Sequence, residues 1–401
     1  EAETLARGAL ADLPAKARIL LSRVALARGD FAAAEREAAA QIKVGERRAR
    51  ELEQEAERLR FLLEKQKQER PASPETGGTA GLGQFKELEQ ERIRLQNIGQ
   101  EFQEKNKKLW ELSTSIHKEK QRVETLRRAI EEKHRVVTDS INYAQRIQRA
   151  VLPPDELLPR VLPEHFVLFR PRDIVSGDFY WARQVGRKTV VVAADCTGHG
   201  VPGAFMSMLG ISFLNEILQG QDDPRAASIL EALRAKVKSA LRQQGRMGEA
   251  QDGMDLALAI LDPEARKVEF AGANNPLWLL RRDGLPAPSP DKRDESANGH
   301  TLYALKPTKN PIGIFLREKP FAQETLELLP GDRLYLFSDG LPDQVGGPKG
   351  DKFKAKRFKQ FLLATLDLPM DQQKAALERE LDQWIGKHHQ VDDILVIGLK
   401  P

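Results

Sequence analysis

Four aspartates stand where short apolar runs meet turns in the second half of this 401-residue sequence, and their surroundings suggest chemistry. Asp178 lies in Ser176-Gly177-Asp178-Phe179-Tyr180, and Asp195 follows Val190-Val191-Val192-Ala193-Ala194 and opens into Cys196-Thr197-Gly198-His199-Gly200. Asp339 follows Leu334-Tyr335-Leu336-Phe337-Ser338 and precedes Gly340, while Asp392 stands before the run Ile394-Leu395-Val396-Ile397-Gly398. A single aspartate beside a strand simply begins a turn. Four gathered by strand pairing would repel one another and lose water, which raises their pKa values and destabilises the fold unless cations join them. All-oxygen ligands suit Mg²⁺ or Mn²⁺ rather than zinc. Two such ions about 3.5–4 Å apart can share a water, lower its pKa and clamp the oxygens of a phosphoryl group in line with it.

The longer segments around these residues carry a family resemblance. Asp173-Ile174-Val175-Ser176-Gly177-Asp178-Phe179-Tyr180-Trp181, Ala194-Asp195-Cys196-Thr197-Gly198-His199-Gly200-Val201-Pro202-Gly203-Ala204, Phe337-Ser338-Asp339-Gly340 and Asp392-Asp393-Ile394 resemble the stage II sporulation protein E-type phosphatases. These are the bacterial branch of the protein phosphatase 2C-like, metal-dependent family. The resemblance spans about 155–401 in the right order. It implies an α+β fold, an α-β-β-α sandwich of two antiparallel sheets flanked by helices, with two Mn²⁺ or Mg²⁺ ions between the sheets. Carried over by position, it implies that Asp195 bridges both ions, that Asp178, Asp339 and Asp392 complete the shell, and that the backbone carbonyl of Cys196 adds a ligand. Asp393 is excluded, because the family places its ligand on the first of the two acids.

Other residues near these motifs have weaker claims. His199 could give a proton to the leaving serine oxygen, although its place in the loop does not match the histidine of the eukaryotic enzymes. Asn274 and Asn275 are expected to shape a turn near the site, and Arg170 and Arg172 are the nearest candidates for a phosphate-binding arginine. Met206, Met208, Leu209, Ile211, Phe213 and Leu214 have the spacing of a helix core face, and the polar stretch Pro286 to Gly299 reads as a mobile excursion between strands.

The elements that must position this chemistry begin upstream. Residues 1–40 read as a helical hairpin, either one tetratricopeptide-type unit or an Ala-rich pair of helices. From Ile42 a seven-residue rhythm through Ala49, Ala56 and Leu63, with Leu52 and Leu59, predicts a coiled-coil helix over 41–69. Pro71-Ala72-Ser73-Pro74 and the glycines that follow predict a flexible linker over 70–84. A longer heptad series then runs through Leu95, Phe102, Leu109, Ile116, Val123, Ile130, Val137, Ala144 and Val151, with charges at alternate layers of its second seam. It predicts a dimeric coiled coil over 85–154 that ends at Leu152-Pro153-Pro154 as a regulatory switch helix, with Ala144, Ile147 and Val151 as its regulatory contacts. A shift of register there would arrive at the edge of the catalytic domain, 155–401.

Composition narrows the function classes. Sixty-three basic residues against fifty-nine acidic ones form a balanced mixture, so nucleic acid is not implied. Cys196 is the one cysteine, which leaves no intrachain disulfide framework and fits a reducing, cytoplasmic setting. No apolar run is long enough to span a bilayer. Residue 1 is Glu, so an upstream sensor or membrane tether is compatible with the chain. The expected function is hydrolysis of phosphoserine or phosphothreonine on a protein substrate, regulated through the coiled coil. The resemblance implies an anti-sigma-factor antagonist of a partner-switching pathway as that substrate. A scaffold or pseudophosphatase is the alternative, and the presence of all four acids argues against it.

Overall fold

The computed structural model describes residues 31–68, 79–154, 156–245, 251–288 and 292–401. Most of the hairpin expected over 1–40 lies outside these residues. The chain divides into two compact units, up to Arg135 and from Val136 onward.

The first unit holds α1 (Phe31–Gln68) and most of α2 (Thr79–Val151). Both are rich in Ala, Glu, Lys, Arg and Gln, the strong helix formers. Residues 31–40 continue into 41–68 without a break, and residues 79–84, expected in the linker, are the first turns of α2. Leu52, Leu59 and Leu63 of α1 are buried, as is Ile116 of α2. Gln103 Nε2 donates to Glu53 Oε1 at 3.1 Å, and a Cβ on Gly45 would run into the Asn106 side chain. The two predicted heptads therefore pair with each other inside one chain, because a short connection keeps them at high effective concentration. Further along α2 the seam changes character. Val123, Leu126, Ile130 and Val137 are exposed.

The second unit is built from two antiparallel sheets, with the short α3 (Leu157–Val161) before them and a small separate ribbon of β11 (Val345–Gly346) and β12 (Asp351–Lys352). One has the order β1-β13-β10-β6-β8-β7, with β1 (His165–Arg170), β6 (Leu277–Arg282), β7 (Arg293–Ala297), β8 (His300–Leu305), β10 (Arg333–Phe337) and β13 (Ile394–Leu399). The other has the order β2-β3-β4-β5-β9, with β2 (Phe179–Val185), β3 (Lys188–Cys196), β4 (Met254–Asp262), β5 (Lys267–Ala273) and β9 (Gln323–Glu327). The run Val190 to Ala194 is apolar throughout because both its faces are covered. Val191 and Ala193 point inward against Leu279, Leu336, Leu395 and Ile397 of the facing sheet. Val190, Val192 and Ala194 point outward against Ile211 and Leu214 of α4 (Gly200–Ile217) and Ile229, Leu230 and Leu233 of α5 (Ala226–Ala240). Trp278, Tyr335 and Val396 on the outer face of the first sheet meet Phe358 and Leu362 of α7 (Lys354–Ala364) and Leu377 and Leu381 of α8 (Met370–Ile385), with the short α6 (Gly340–Asp343) between. These are the layers of an α-β-β-α sandwich.

Within Pro286 to Gly299, expected to be an excursion, β7 pairs with β8. Its burial is slight, so its polar residues concealed an edge strand. Of the expected face of α4, Met206, Ile211 and Leu214 are in the core.

Candidate active site

Strand order decides where the acids meet. β2 and β3 are neighbours in one sheet, and β10 and β13 are neighbours in the other. Asp178 immediately precedes β2, Asp195 is the penultimate residue of β3, Asp339 lies just past β10 and Asp392 just before β13. The antiparallel register puts all four at one end of the sandwich. A bond across the two sheets ties them: Ser338 Oγ donates to Asp178 Oδ2 at 2.6 Å and accepts from Leu395 N at 3.1 Å.

The glycines of the motifs are there because backbones touch. A Cβ on Gly177 would collide with Gly198 O, one on Gly203 with the same carbonyl and with Gly177 Cα, and one on Gly340 with Asp393 O. Each collision would push apart the loops that carry the acids.

The carboxylates bear the electrostatic signature of crowding. Burial, and then the charge of Asp195, raises Asp178 well above the ordinary range. Burial, and then the charge of Asp339, pushes Asp195 up to about 9. Burial also raises Asp339, the neighbour of the Asp195 carboxyl. Among the described residues no three His, Cys, Asp or Glu side chains close on a point as a finished ion cage. The donor set nevertheless fits hard divalent cations: it is oxygen only, buried, mutually repelling, and holding protons where an ion would supply the positive charge. Burial raises the Cys196 thiol too, so Cys196 is inert as a nucleophile.

The neighbouring residues divide clearly. Asp393 spends its carboxylate on the backbone, accepting from Arg172 N and Gly177 N at 2.7 Å each, and so shapes the loop before Asp178. Asp255 was not anticipated. It pairs with Asp195 across β3 and β4, burial raises its pKa, and it accepts from Asn274 Nδ2 at 2.8 Å. Asn274 adopts a left-handed φ of 57°, which supports the expected turn. The one available signal for Asp255 was its spacing from Ala257, Ala259 and Leu261, which sets it on their face of the strand, toward the facing sheet.

Arg170 reaches Asp382 on α8 and is engaged there. Arg172 has its backbone fixed to Asp393 and its side chain exposed, so of the two candidate arginines it is the one not held by an acid. Replacing it, Arg172→Ala, should raise KM for a phosphomonoester by about tenfold, the worth of one charge-assisted hydrogen bond, and change kcat less. Steady-state kinetics with manganese would check this.

The last turns of α2 belong to this unit and touch the site loop through amides. Gln148 is buried; its Nε2 donates to Ser176 O at 2.6 Å and Ser207 Oγ at 2.8 Å, and its Oε1 accepts from Ser176 N at 3.1 Å. Gln145 Nε2 donates to Ile174 O at 2.6 Å. Of the expected regulatory residues, Ala144 is half-buried, whereas Ile147 and Val151 are exposed. The catalytic fold is gripped by the polar face of this helix, beside the seam that the heptad predicts.

A sandwich of this layering with an acidic cluster at one end of its sheets defines a PP2C-type serine/threonine phosphatase. The family model for stage II sporulation protein E (SpoIIE) matches residues 186–401, and the chain belongs to that family. Asp178 lies upstream of the matched residues, so its place rests on the geometry above. Among solved structures, the SiaA-PP2C domain of Pseudomonas aeruginosa is 31% identical over 67% of this chain and 98% of its own, with a TM-score of 0.57. The phosphatase domain and a regulatory fragment of SpoIIE from Bacillus subtilis are 20% identical over 59% of this chain and 61% of theirs, with a TM-score of 0.45. The RsbU and RsbW domains of a Mycobacterium tuberculosis protein are 18% identical over 60% of each chain, with a TM-score of 0.44. No curated protein sequence matches. No helix among the described residues is long and apolar enough to cross a membrane.

Proposed function

We propose that this chain removes phosphate from serine or threonine of a protein partner, using two Mn²⁺ or Mg²⁺ ions held by Asp178, Asp195, Asp339, Asp392 and the carbonyl of Cys196. The observation that carries this reading is the cluster of buried acids with raised pKa values at one mouth of the sandwich. Bound ions would supply an activated water and charge neutralisation for the phosphoryl oxygens. The chain's own residues do the rest. Asp393, Ser338 and Gln148 hold the loops in place, and Arg172 meets the phosphate from the rim. The substrate class we infer is a small phosphorylated anti-sigma-factor antagonist, an inference that rests on family resemblance. The test is manganese-dependent release of phosphate from a phosphorylated protein of that class, compared with Asp195→Asn; equal inertness of both with metal supplied would favour a scaffold.

Regulation would enter through α2. Exposed Val123, Leu126, Ile130 and Val137 continue to Ile147 and Val151 on the predicted seam, an apolar stripe suited to a second copy of the same helix. We expect a homodimer in the cytoplasm whose pairing state is felt at Gln145 and Gln148, with an upstream sensor as the source of the signal. Light scattering should find the full chain dimeric and Ile130→Glu combined with Val137→Glu monomeric; a monomeric parent chain would remove this reading.

A further inference from the structure

The chain that leaves the Asp339 end of the acidic cluster is dense in cations. From Lys349 to Lys359 it holds five lysines and Arg357 against one acid, Asp351. Lys352, Arg357 and Lys359 are taken up by Asp343, Glu380 and Asp294. Lys349, Lys354 and Lys356 are exposed, and among the described residues no acid pairs with them. Local stability gives no reason for this choice. Lys354 has a left-handed φ of 70°, a conformation that favours glycine or asparagine. Lys354, Lys356 and Arg357 also fill the first turn of α7, where the helix dipole repels cations and where no acid stands.

The patch is held firmly and borders the reaction site. β11 pairs with β12, Gly347 N donates to Trp384 O at 2.7 Å, Phe353 N donates to Gln344 O at 2.8 Å, and a Cβ on Gly346 would strike Trp384 O. Asp343, which accepts from Lys352 Nζ at 2.7 Å, stands one turn past Asp339, its N donating to Asp339 O at 2.9 Å. Burial raises Asp339 and the Lys352 charge acts against that rise, so the ribbon is within electrostatic reach of the cluster.

We propose that the β11–β12 ribbon and the start of α7 are a docking surface for the phosphoprotein substrate, selecting one whose phosphorylated residue lies beside an acidic face; the inference rests on the phosphatase reading above. A protein that places its phosphoserine in the cluster covers the rim beginning one turn past Asp339. Lys349, Lys354 and Lys356 then meet its carboxylates, away from the reacting atoms, so they set specificity and take no part in catalysis. The whole chain is nearly balanced in charge, which localises the attraction to this rim.

The test uses the full chain with manganese and three esters: p-nitrophenyl phosphate, a phosphoserine peptide flanked by glutamates, and the same peptide with glutamines in their place. The parent protein should favour the glutamate peptide in kcat/KM by about tenfold at low salt, and the preference should shrink as salt rises. Single exposed pairs are weak, so the three lysines are changed together. In Lys349→Glu combined with Lys354→Glu and Lys356→Glu, the preference should vanish or invert through KM, while p-nitrophenyl phosphate turns over within about threefold of the parent rate. Lys349→Gln, Lys354→Gln and Lys356→Gln together remove charge alone and should give an intermediate preference with a parent-like thermal melt. No glutamate preference in the parent, or the same preference in both triple variants, overturns the docking surface. Loss of binding to anionic vesicles or duplex DNA with the peptide preference unchanged also overturns it, by giving the patch to a membrane or a nucleic acid. Parent protein inert toward all three esters would instead overturn the phosphatase reading, and the docking surface with it.

Discussion

Asp195→Asn should raise the stability of the metal-free protein near neutral pH while lowering hydrolysis about a thousandfold or more. The two effects share one cause. Asp195 has an ordinary value of 3.8 and is pushed up to about 9 in the fold by burial and by Asp339. Below the first value the group is neutral in both folded and unfolded chains, and its stabilising contribution is fully present. As pH rises from there, the unfolded chain releases the proton and the folded chain keeps it, so stability falls by up to ~1.4 kcal/mol per pH unit until the folded group itself ionises. Asp178 and Asp339 are raised in the same direction. Chelator-treated protein should therefore lose thermal stability steadily from about pH 4 to pH 9, and manganese should restore it by mass action. The asparagine variant has no charge to bury at this position, so its metal-free melting curve should be flatter with pH and respond little to manganese. Thermal melts across pH, with chelator and with manganese, would show this. A parent protein as stable in chelator at high pH as at low pH would mean that the acids are not strained against one another.

Gln148→Leu should cut kcat about a hundredfold without touching any carboxylate. The substitution keeps the approximate volume but removes the bonds to both the N–H and the C=O of Ser176 and the bond to Ser207. Burial leaves those backbone groups with little access to water, and each unmet group costs about 1–3 kcal/mol. The loop would escape that cost by moving, which takes Gly177 off Gly198 O and carries Asp178 out of the cluster. At ~1.4 kcal/mol per factor of ten, a cost of about 2–3 kcal/mol gives the stated loss. Ile147→Asp and Val151→Asp should act differently. Their side chains are exposed, so any change of activity would come through helix pairing and would depend on protein concentration. Initial rates at several concentrations separate the two routes.

The legible part of this protein was local. Apolar runs such as Val190 to Ala194 announced strands, and the heptads announced long helices. The aspartates at the run ends, with glycines around them, suggested an acidic cluster, because residues that end neighbouring strands share one edge of a sheet. The glycines could be seen but not explained until Gly177, Gly198 and Gly203 were found packed on one another.

What the sequence determined by itself was the set of periodic elements and the chemistry of their ends, since periodicity and turn chemistry are written in residues a few positions apart. Tertiary structure alone decided that Asp393 accepts from the Arg172 and Gly177 amides and that the unforeseen Asp255 stands opposite Asp195. It also decided that α1 folds back on α2, that Gln148 rather than Ile147 grips the catalytic fold, and that Asp173 meets His199, whose Nδ1 lies 2.9 Å from Asp173 Oδ2. Each of these depends on pairing between residues distant along the chain, where register and packing geometry, and no local pattern, set the distance.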